Sequence, residues 1–375
     1  MKILNRNKVY NMIRGIEIFS GAGGLARGLE ESGITHCAFV EWNSDACNTL
    51  RTNFNGSYVH EGDIRKFDFL AYSDIDIIAG GPPCQPFSLG GKALGYDDKR
   101  DMFPYAIDAI RKLQPKAFIF ENVKGLLRES FSDYFNFIIL QLSYPGINLP
   151  YDNWVDNFNY LKSYKDKSSS PLSYTVTYRL VNAANYGVPQ KRERVIIVGF
   201  RNDLKVNWSF PEPTHSEDAL LWSQFVTGEY WVKHHIDCTY SRQKATTIKN
   251  ALEEKYGLWG PDLQPWVTIR DVISDLHCEE VKESKEYPGH TGSYIDEPSK
   301  TIKAGSHGVP GGENMVRFED GTTRYLSIDE AKRIQTFPDD YCITGSWTEG
   351  MRQLGNAVPV KLATIIGDSV VQAIS

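Results

Sequence analysis

The sequence predicts an α/β fold, a Rossmann-like doubly wound sheet with a second, smaller domain. Three observations carry this. β-rich runs alternate with segments of helical periodicity over the first two hundred residues. A glycine-rich turn, Gly21, Gly23 and Gly24, joins the first β-rich run to the first helix. The alternation then fails from Arg201 to about Gly345, where Trp, Tyr, Gly and Pro are frequent.

In chain order, "GIEIF" (15–19) reads as a strand and "LARGLEESG" as a helix ending at Gly33. "THCAFVE" (35–41) is a second strand, and "SDACNTLRTNF" a helix with Ser44 as N-cap. A third strand precedes "EGDI". "DIDIIAGG" and "PKAFIFENV" are buried strands separated by the helical "DMFPYAIDAIRKL", and "TVTYRLVNA" and "RVIIVGF" follow. Such alternation predicts parallel strands. Residues 144–173, with "KDKSSSPLS", read as a polar insertion, partly disordered. Periodicity returns in an amphipathic C-terminal helix, 358–374. The expected division is therefore 14–200 with 346–375 as one domain and 201–345 as the second.

A composition of 41% hydrophobic and 23% charged residues over 375 positions is that of an ordinary globular protein, with ample length for a sizeable core. No run of eighteen apolar residues occurs, so no membrane span is expected. The first fifteen residues are too polar for a signal peptide. The six cysteines have no regular spacing and read as reduced cytoplasmic thiols. A net charge of −6 argues mildly against wholesale nucleic-acid binding but leaves room for a local basic cleft.

The glycine turn lets backbone approach a ligand, and the helix after it presents free N–H groups. Glu41 ends the second strand, where an acid suits a ribose diol. Trp42 can pack on an adenine ring, and Asp63 can accept from the adenine amino group. The same turn also fits the dinucleotide fingerprint G-x-G-x-x-G/A. On this stretch alone, an NAD enzyme and an adenosyl-methionine enzyme stand level.

"GGPPCQPFSLGG" (80–91) departs from regular structure altogether. Its prolines lack N–H donors and fix φ, so it must be a stiff loop holding Cys84 in place. Cys84 follows the fourth strand, Glu121 and Asn122 the fifth, and Arg192 and Arg194 stand at the mouth of a further one. Ligands of open α/β sheets bind beyond the strands' carboxyl ends. Each residue has a plain reading: a buried thiol, a helix-end acid, a solvated turn. Together they place a thiol, a carboxylate and guanidiniums in one crevice.

On these residues the chain resembles the cytosine-C5 DNA methyltransferase family, from about Arg14 onward, with breaks at 144–173 and in much of 216–300. The matching blocks are "FSGAGG", "VEWN", "GDI", "GGPPCQPFS", "ENV", "QKRERVIIVG", "RYLSIDEAKRIQTFPDDY" and "GNAVPV". The resemblance implies S-adenosyl-methionine as methyl donor, bound by Phe19, the glycine turn, Glu41, Trp42, Asp63, Pro83 and Asn356, and no metal. It implies Cys84 as the nucleophile adding to cytosine C6, Glu121 binding N3 and the exocyclic amine, and Arg194 contacting O2 with Arg192 as supporting cation. Double-stranded DNA is the implied substrate, with the target base swung out of the stack. "SLGGKALGYDDKR" suits a loop closing over it. The match at Asn356 implies that the last helix returns to the first domain.

Target recognition is then expected from 201–345. Trp222, Tyr230, Trp231, His234, His235 and Tyr240 are candidates to contact bases. Residues 201–300 hold 11 Lys/Arg against 17 Asp/Glu, so phosphate contacts fall to Arg242, Lys244, Lys249 and "TIKAGSHG". "HHIDC" (234–238) lacks the second ligand pair a zinc site needs. "RYLSIDEAKRIQTFPDDY" is expected to organise the recognition domain, with Arg324 docking into that domain, and "SIDEAKRIQ" reads as a capped helix starting at Ser327. A tRNA cytosine methyltransferase is the nearest alternative, but Cys238-Thr239-Tyr240 does not match that group's Cys-Phe-Thr signature. An NAD-dependent oxidoreductase explains the glycine turn alone. A non-catalytic DNA-binding protein leaves Cys84, Glu121 and Arg194 without work. The expected enzyme is a cytoplasmic monomer of a prokaryotic or viral modification system, with a cognate restriction endonuclease as candidate partner.

Overall fold

The structure, a computed structural model, describes residues 12–83, 101–165, 172–238, 240–276, 291–305 and 311–375. Cys84 and the rest of 84–100 lie outside them, as do Thr239 and 306–310. A seven-stranded sheet organises the chain: β1 (Ile13–Ile18), β2 (Ile34–Glu41), β3 (Tyr58–Glu61), β4 (Ile77–Gly80), β5 (Ala117–Val123), β6 (Tyr174–Asn182) and β7 (Glu193–Arg201). Their spatial order is β3-β2-β1-β4-β5-β7-β6.

The sheet is not wholly parallel. β7 runs antiparallel to both β5 and β6. This reversal corrects the parallel expectation and has a direct consequence. The N-terminal end of β7, not its carboxyl end, lies at the ligand-binding edge, and Arg194 stands opposite Val123 at the end of β5.

Alternating side chains feed the two faces, as strand geometry requires. Phe118 and Phe120 pack on α3 (Phe103–Leu113), α4 (Ser132–Ser143) and α5 (Trp154–Lys165). Ala117 and Ile119 join the opposite core with α1 (Gly24–Glu31). α5 falls inside the expected polar insertion. Its Phe158 and Leu161 are buried and Trp154 packs beside them, so 154–165 is an ordered layer element, and only 166–171 lies outside the described residues. α2 (Ser44–Asn53) begins at Ser44, but the cap is Asn43, whose side chain accepts from the Ala46 N–H.

Beyond β7 the chain builds short elements: β8 (His215–Ser216), α6 (Glu217–Phe225), α7 (Glu229–His234), α8 (Arg242–Tyr256), β9 (Gln264–Pro265), α9 (Ile269–Ile273), β10 (Ser293–Tyr294), β11 (Met315–Arg317), β12 (Thr323–Tyr325), α10 (Ile328–Ile334) and α11 (Trp347–Asn356). α10 starts with a capping box between Ser327 and Glu330, and Arg324 donates to the same Glu330 carboxylate at 2.8 Å. α12 (Val360–Ile374) closes the chain by packing its Leu362, Ala363 and Ile366 face with Leu25 and Leu29 of α1. A third core joins Leu50 and Phe54 to Ile334, Phe337, Tyr341 and Leu354, so it runs continuously across position 345.

Candidate active site

The turn after β1 is built from left-handed backbone: φ is 55° at Phe19, 53° at Gly21 and 78° at Gly23. A bulky residue such as Phe19 adopts this region at a cost of about 1 kcal/mol or more. The three glycines do different work. A Cβ on Gly23 would lie 2.7 Å from the Tyr341 hydroxyl, and one on Gly24 would lie 2.3 Å from the Val358 carbonyl oxygen. Those two glycines are demanded by protein packing. A Cβ on Gly21 would meet nothing within 4 Å, so Gly21 alone of the three borders open space.

Glu41, at the end of β2, faces this turn. Its Oε2 accepts from the Gly21 N–H at 2.8 Å, and its Oε1 accepts from the N–H groups of Trp42 and Asn43, both at 2.9 Å. The carboxylate thus fixes the turn and keeps an acceptor position on Oε2. Trp42 beside it is 82% exposed. Asp63 is committed elsewhere: Arg65 donates to it through Nε and its own backbone N–H at 2.9 Å, and the pairing pulls the carboxyl down to about 2. Sequence reading did not foresee this partner two residues away.

At the next strand ends, the Arg194 Nε meets Glu121 Oε1 at 2.7 Å, with both side chains nearly buried. The register explains the contact. Glu121 opposes Ile196, which makes Arg194 its diagonal neighbour on the antiparallel partner. A Cβ on Gly81 would lie 3.4 Å from Glu121 Oε2, so the chain leaving β4 passes directly over this pair. The Asn122 side chain donates to the Pro82 carbonyl at 2.9 Å, and the Met102 N–H donates to that of Pro83 at 3.1 Å. Both ends of the segment holding Cys84 are therefore tied beside Glu121, although Cys84 itself is outside the described residues. Asn122 was quoted in a motif but given no role; its tie to the proline loop is that role.

Arg192, expected as a second cation beside Arg194, is instead buried, with 1% of its surface exposed. Its guanidinium donates to the carbonyls of Gly355 at 2.9 Å and Ile302 at 3.4 Å. Burial, and then the neighbouring Arg194 charge, hold its pKa well below the usual arginine range. Asn356, next to Gly355, is exposed. Tyr341, unassigned from sequence, donates its hydroxyl to the Ala22 carbonyl at 2.6 Å and braces the glycine turn.

Two of the six residues expected as candidates to contact bases are instead part of the core. Tyr230 and Trp231 are buried, and the Tyr230 hydroxyl bonds Asp296 at 2.8 Å and Thr268 at 3.0 Å. His234 pairs with Asp271 at 3.0 Å. These are scaffold groups, whereas Arg242 and Lys244 at the start of α8 are exposed. Two exposed apolar residues escaped the reading: Leu258 at 96% and Trp259 at 95%. A depression of about 520 Å³ between α9 and α10 is lined by His234 but by none of the catalytic or donor-binding candidates, and its Arg270 and Arg333 are paired with acids.

Comparison with known proteins identifies the family. The family model for C-5 cytosine-specific DNA methylase matches residues 13–154 and 155–372. The chain is 32% identical to the type II methyltransferase M.NgoMIV of Neisseria gonorrhoeae, over 96% of this chain and 97% of that protein. It is 34% identical to M.Eco47II of Escherichia coli, over 97% of this chain and 79% of that one. Among solved structures, a Spodoptera frugiperda DNMT2 variant superposes with a TM-score of 0.60 at 17% identity, covering 96% of this chain and 99% of that one. The chain belongs to the C-5 cytosine-specific DNA methylase family and is a DNA cytosine-5 methyltransferase.

Proposed function

We propose that the strand-end crevice methylates C5 of a cytosine extruded from duplex DNA, as the modification enzyme of a restriction-modification system. The observation that carries it is the 2.7 Å Arg194–Glu121 pair beneath the tethered proline loop of Cys84. S-adenosyl-methionine, when bound, supplies an electrophilic methyl group. Its fit rests on the open space at Gly21, the remaining acceptor position on Glu41 and the exposed Trp42 ring. Phe19 and Asn356 border the same strand ends. Asp63 joins them only when Arg65 releases it.

Cytosine C5 is a poor nucleophile. The Cys84 thiolate forms a bond to C6, and the ring π electrons shift so that C5 becomes enamine-like. A free thiol has a pKa of about 8.5, so the loop must favour thiolate or shed the proton during attack. Charge builds toward N3 and O2. Glu121 binds N3 and the exocyclic amine, and Arg194 faces O2. Once C5 is methylated, its proton leaves and the C6–S bond breaks, expelling the thiolate and restoring the C5=C6 double bond. The second unit, from about residue 201, supplies target recognition. Trp347–Ile374 passes a length-and-composition test for a membrane span, but it comprises α11 and α12, and half of its most apolar eighteen-residue window is buried within the fold.

Bisulfite sequencing of DNA from cells expressing the chain tests the reading. The wild type is expected to protect cytosine at one short sequence. Cys84→Ser should lower methyl transfer by at least about a thousandfold while S-adenosyl-homocysteine still binds. Near-normal turnover in that variant would refute the covalent route.

A further inference from the structure

Three segments distant in sequence meet in a buried polar junction below the crevice. The first leads into β7 and carries Gln190 and Arg192. The second is 299–304. The third is 354–357, the C-terminal end of α11, which carries Asn356. Gln190 Oε1 accepts from the Ile302 N–H at 3.1 Å, and Arg192 donates to the Ile302 carbonyl, so both backbone groups of Ile302 are held from one strand. Gln190 Nε2 donates to Gln335 Oε1 at 3.2 Å. Gln335, at the end of α10, donates in turn to the carbonyls of Leu354 and Ala357. Arg192 holds the carbonyl between them, that of Gly355. The residues flanking Asn356 on both sides are thereby fixed, while Asn356 itself stays exposed.

The fit of the three segments is close. A Cβ on Gly355 would lie 2.5 Å from the Ala304 nitrogen, so this end of α11 backs directly onto 303–304. Gln190 and Gln335 are fully buried. Arg192 has no hydrogen-bonded carboxylate among the described residues, and its buried Nε has no partner. A buried charge held by carbonyls alone is a costly way to join segments that an apolar core would join more stably. Its position suggests what it achieves. Two residues on stands Arg194, on Glu121. On the other sides lie Asn356 and the segment running toward the second unit.

We propose that Gln190, Arg192 and Gln335 are positioning residues that couple the methyl-donor site to the DNA site. The junction makes the Asn356 end of α11, the Arg194–Glu121 pair and the 299–304 segment move as one body. Occupancy of one site then pre-orders the other, and the free energy of ordering is spent once rather than twice. This rests on the function proposed above, in that it takes Asn356 as a donor contact and Arg194 as a base contact.

The test is the binding of S-adenosyl-homocysteine to the full chain, alone and with the duplex identified by bisulfite sequencing. In the wild type the duplex should tighten that binding at least about tenfold, and in Arg192→Lys the gain should fall below about twofold. Lysine keeps the charge but replaces the planar fork, whose two terminal nitrogens each hold one carbonyl, by a single nitrogen. Affinity for S-adenosyl-homocysteine alone should change less than about threefold in the variant, because Arg192 itself contacts neither substrate. Gln190→Asn, which retracts one amide and leaves Arg192 in place, gives the same readout if Arg192→Lys does not fold. An unchanged duplex-induced gain in a folded variant, or no gain in the wild type, overturns the coupling. A wild type that binds no S-adenosyl-homocysteine overturns instead the function on which it rests.

Discussion

The strand-end crevice and the aromatic centre of the second unit are built from similar residues to opposite effect. Both bury acids, guanidiniums and aromatic hydroxyls. In the aromatic centre these groups close on one another. Tyr230 bonds Asp296 and Thr268, Asp296 takes Arg270 at 2.6 Å, and the indole of Trp266 donates to Asn185 at 3.0 Å. In the crevice the bonding is left incomplete. Gly21 borders open space, and Glu41 takes only backbone N–H groups, which leaves an acceptor position on its Oε2. Residue type does not separate these two regions; whether the groups face one another or open space does.

The largest expected effect is at the crevice. Arg194→Met should lower turnover by about 10²–10³-fold through loss of a donor aimed at O2. It should also cost about 3 kcal/mol of stability, because Glu121 is left buried without its partner. Single-turnover kinetics and thermal melts separate the two. A variant with normal turnover would place the reacting base elsewhere.

Next comes a buried pair behind the crevice. His36 Nε2 lies 3.7 Å from Glu17 Oε2. Burial pushes the Glu17 carboxyl up and the His36 imidazole down to about 4, so this is a neutral pair rather than an ion pair. The unfolded chain protonates His36 near 6.5, the folded one only near 4. Its stability contribution is therefore present above pH 6.5 and is lost as pH falls toward 4, by about 3 kcal/mol in all. Glu17 acts in the opposite sense, losing stability as pH rises from its ordinary range toward its raised folded value. Melting curves of wild type and His36→Gln between pH 4 and 7 check the acid limb, which the variant should flatten.

A smaller effect is expected in the second unit. Tyr230→Phe should cost about 1–3 kcal/mol by leaving Asp296 and Thr268 short of a partner, with the methylated sequence unchanged. An altered target without a loss of melting temperature would make Tyr230 a reading residue and erase the contrast. The smallest belongs to the surface: Trp259→Ala should shift stability by no more than about 0.5 kcal/mol, since the ring is 95% exposed.

Much of the site was legible because its residues sit at strand ends, and strand ends are marked locally. Glu41, Glu121 and the Cys84 loop each follow a β-rich run, and the Ser327 cap is written in four residues. Asp63 shows the limit. Its position was readable, but its attachment to Arg65 depends on a side-chain conformation that spacing does not encode. The same holds for Tyr230 and Trp231, whose aromatic character suits a base contact and a core equally well.

The sequence by itself determined the chain order of strands, turns and motifs and the glycine turn, because these follow from dihedral limits and short-range periodicity. Only the tertiary structure decided that β7 runs backwards, that Gly23 and Gly24 yield to Tyr341 and Val358, and that Arg192 braces carbonyls instead of facing a base. Strand direction and side-chain burial are properties of neighbours brought together from hundreds of residues away, and no local stretch of chain contains its neighbours.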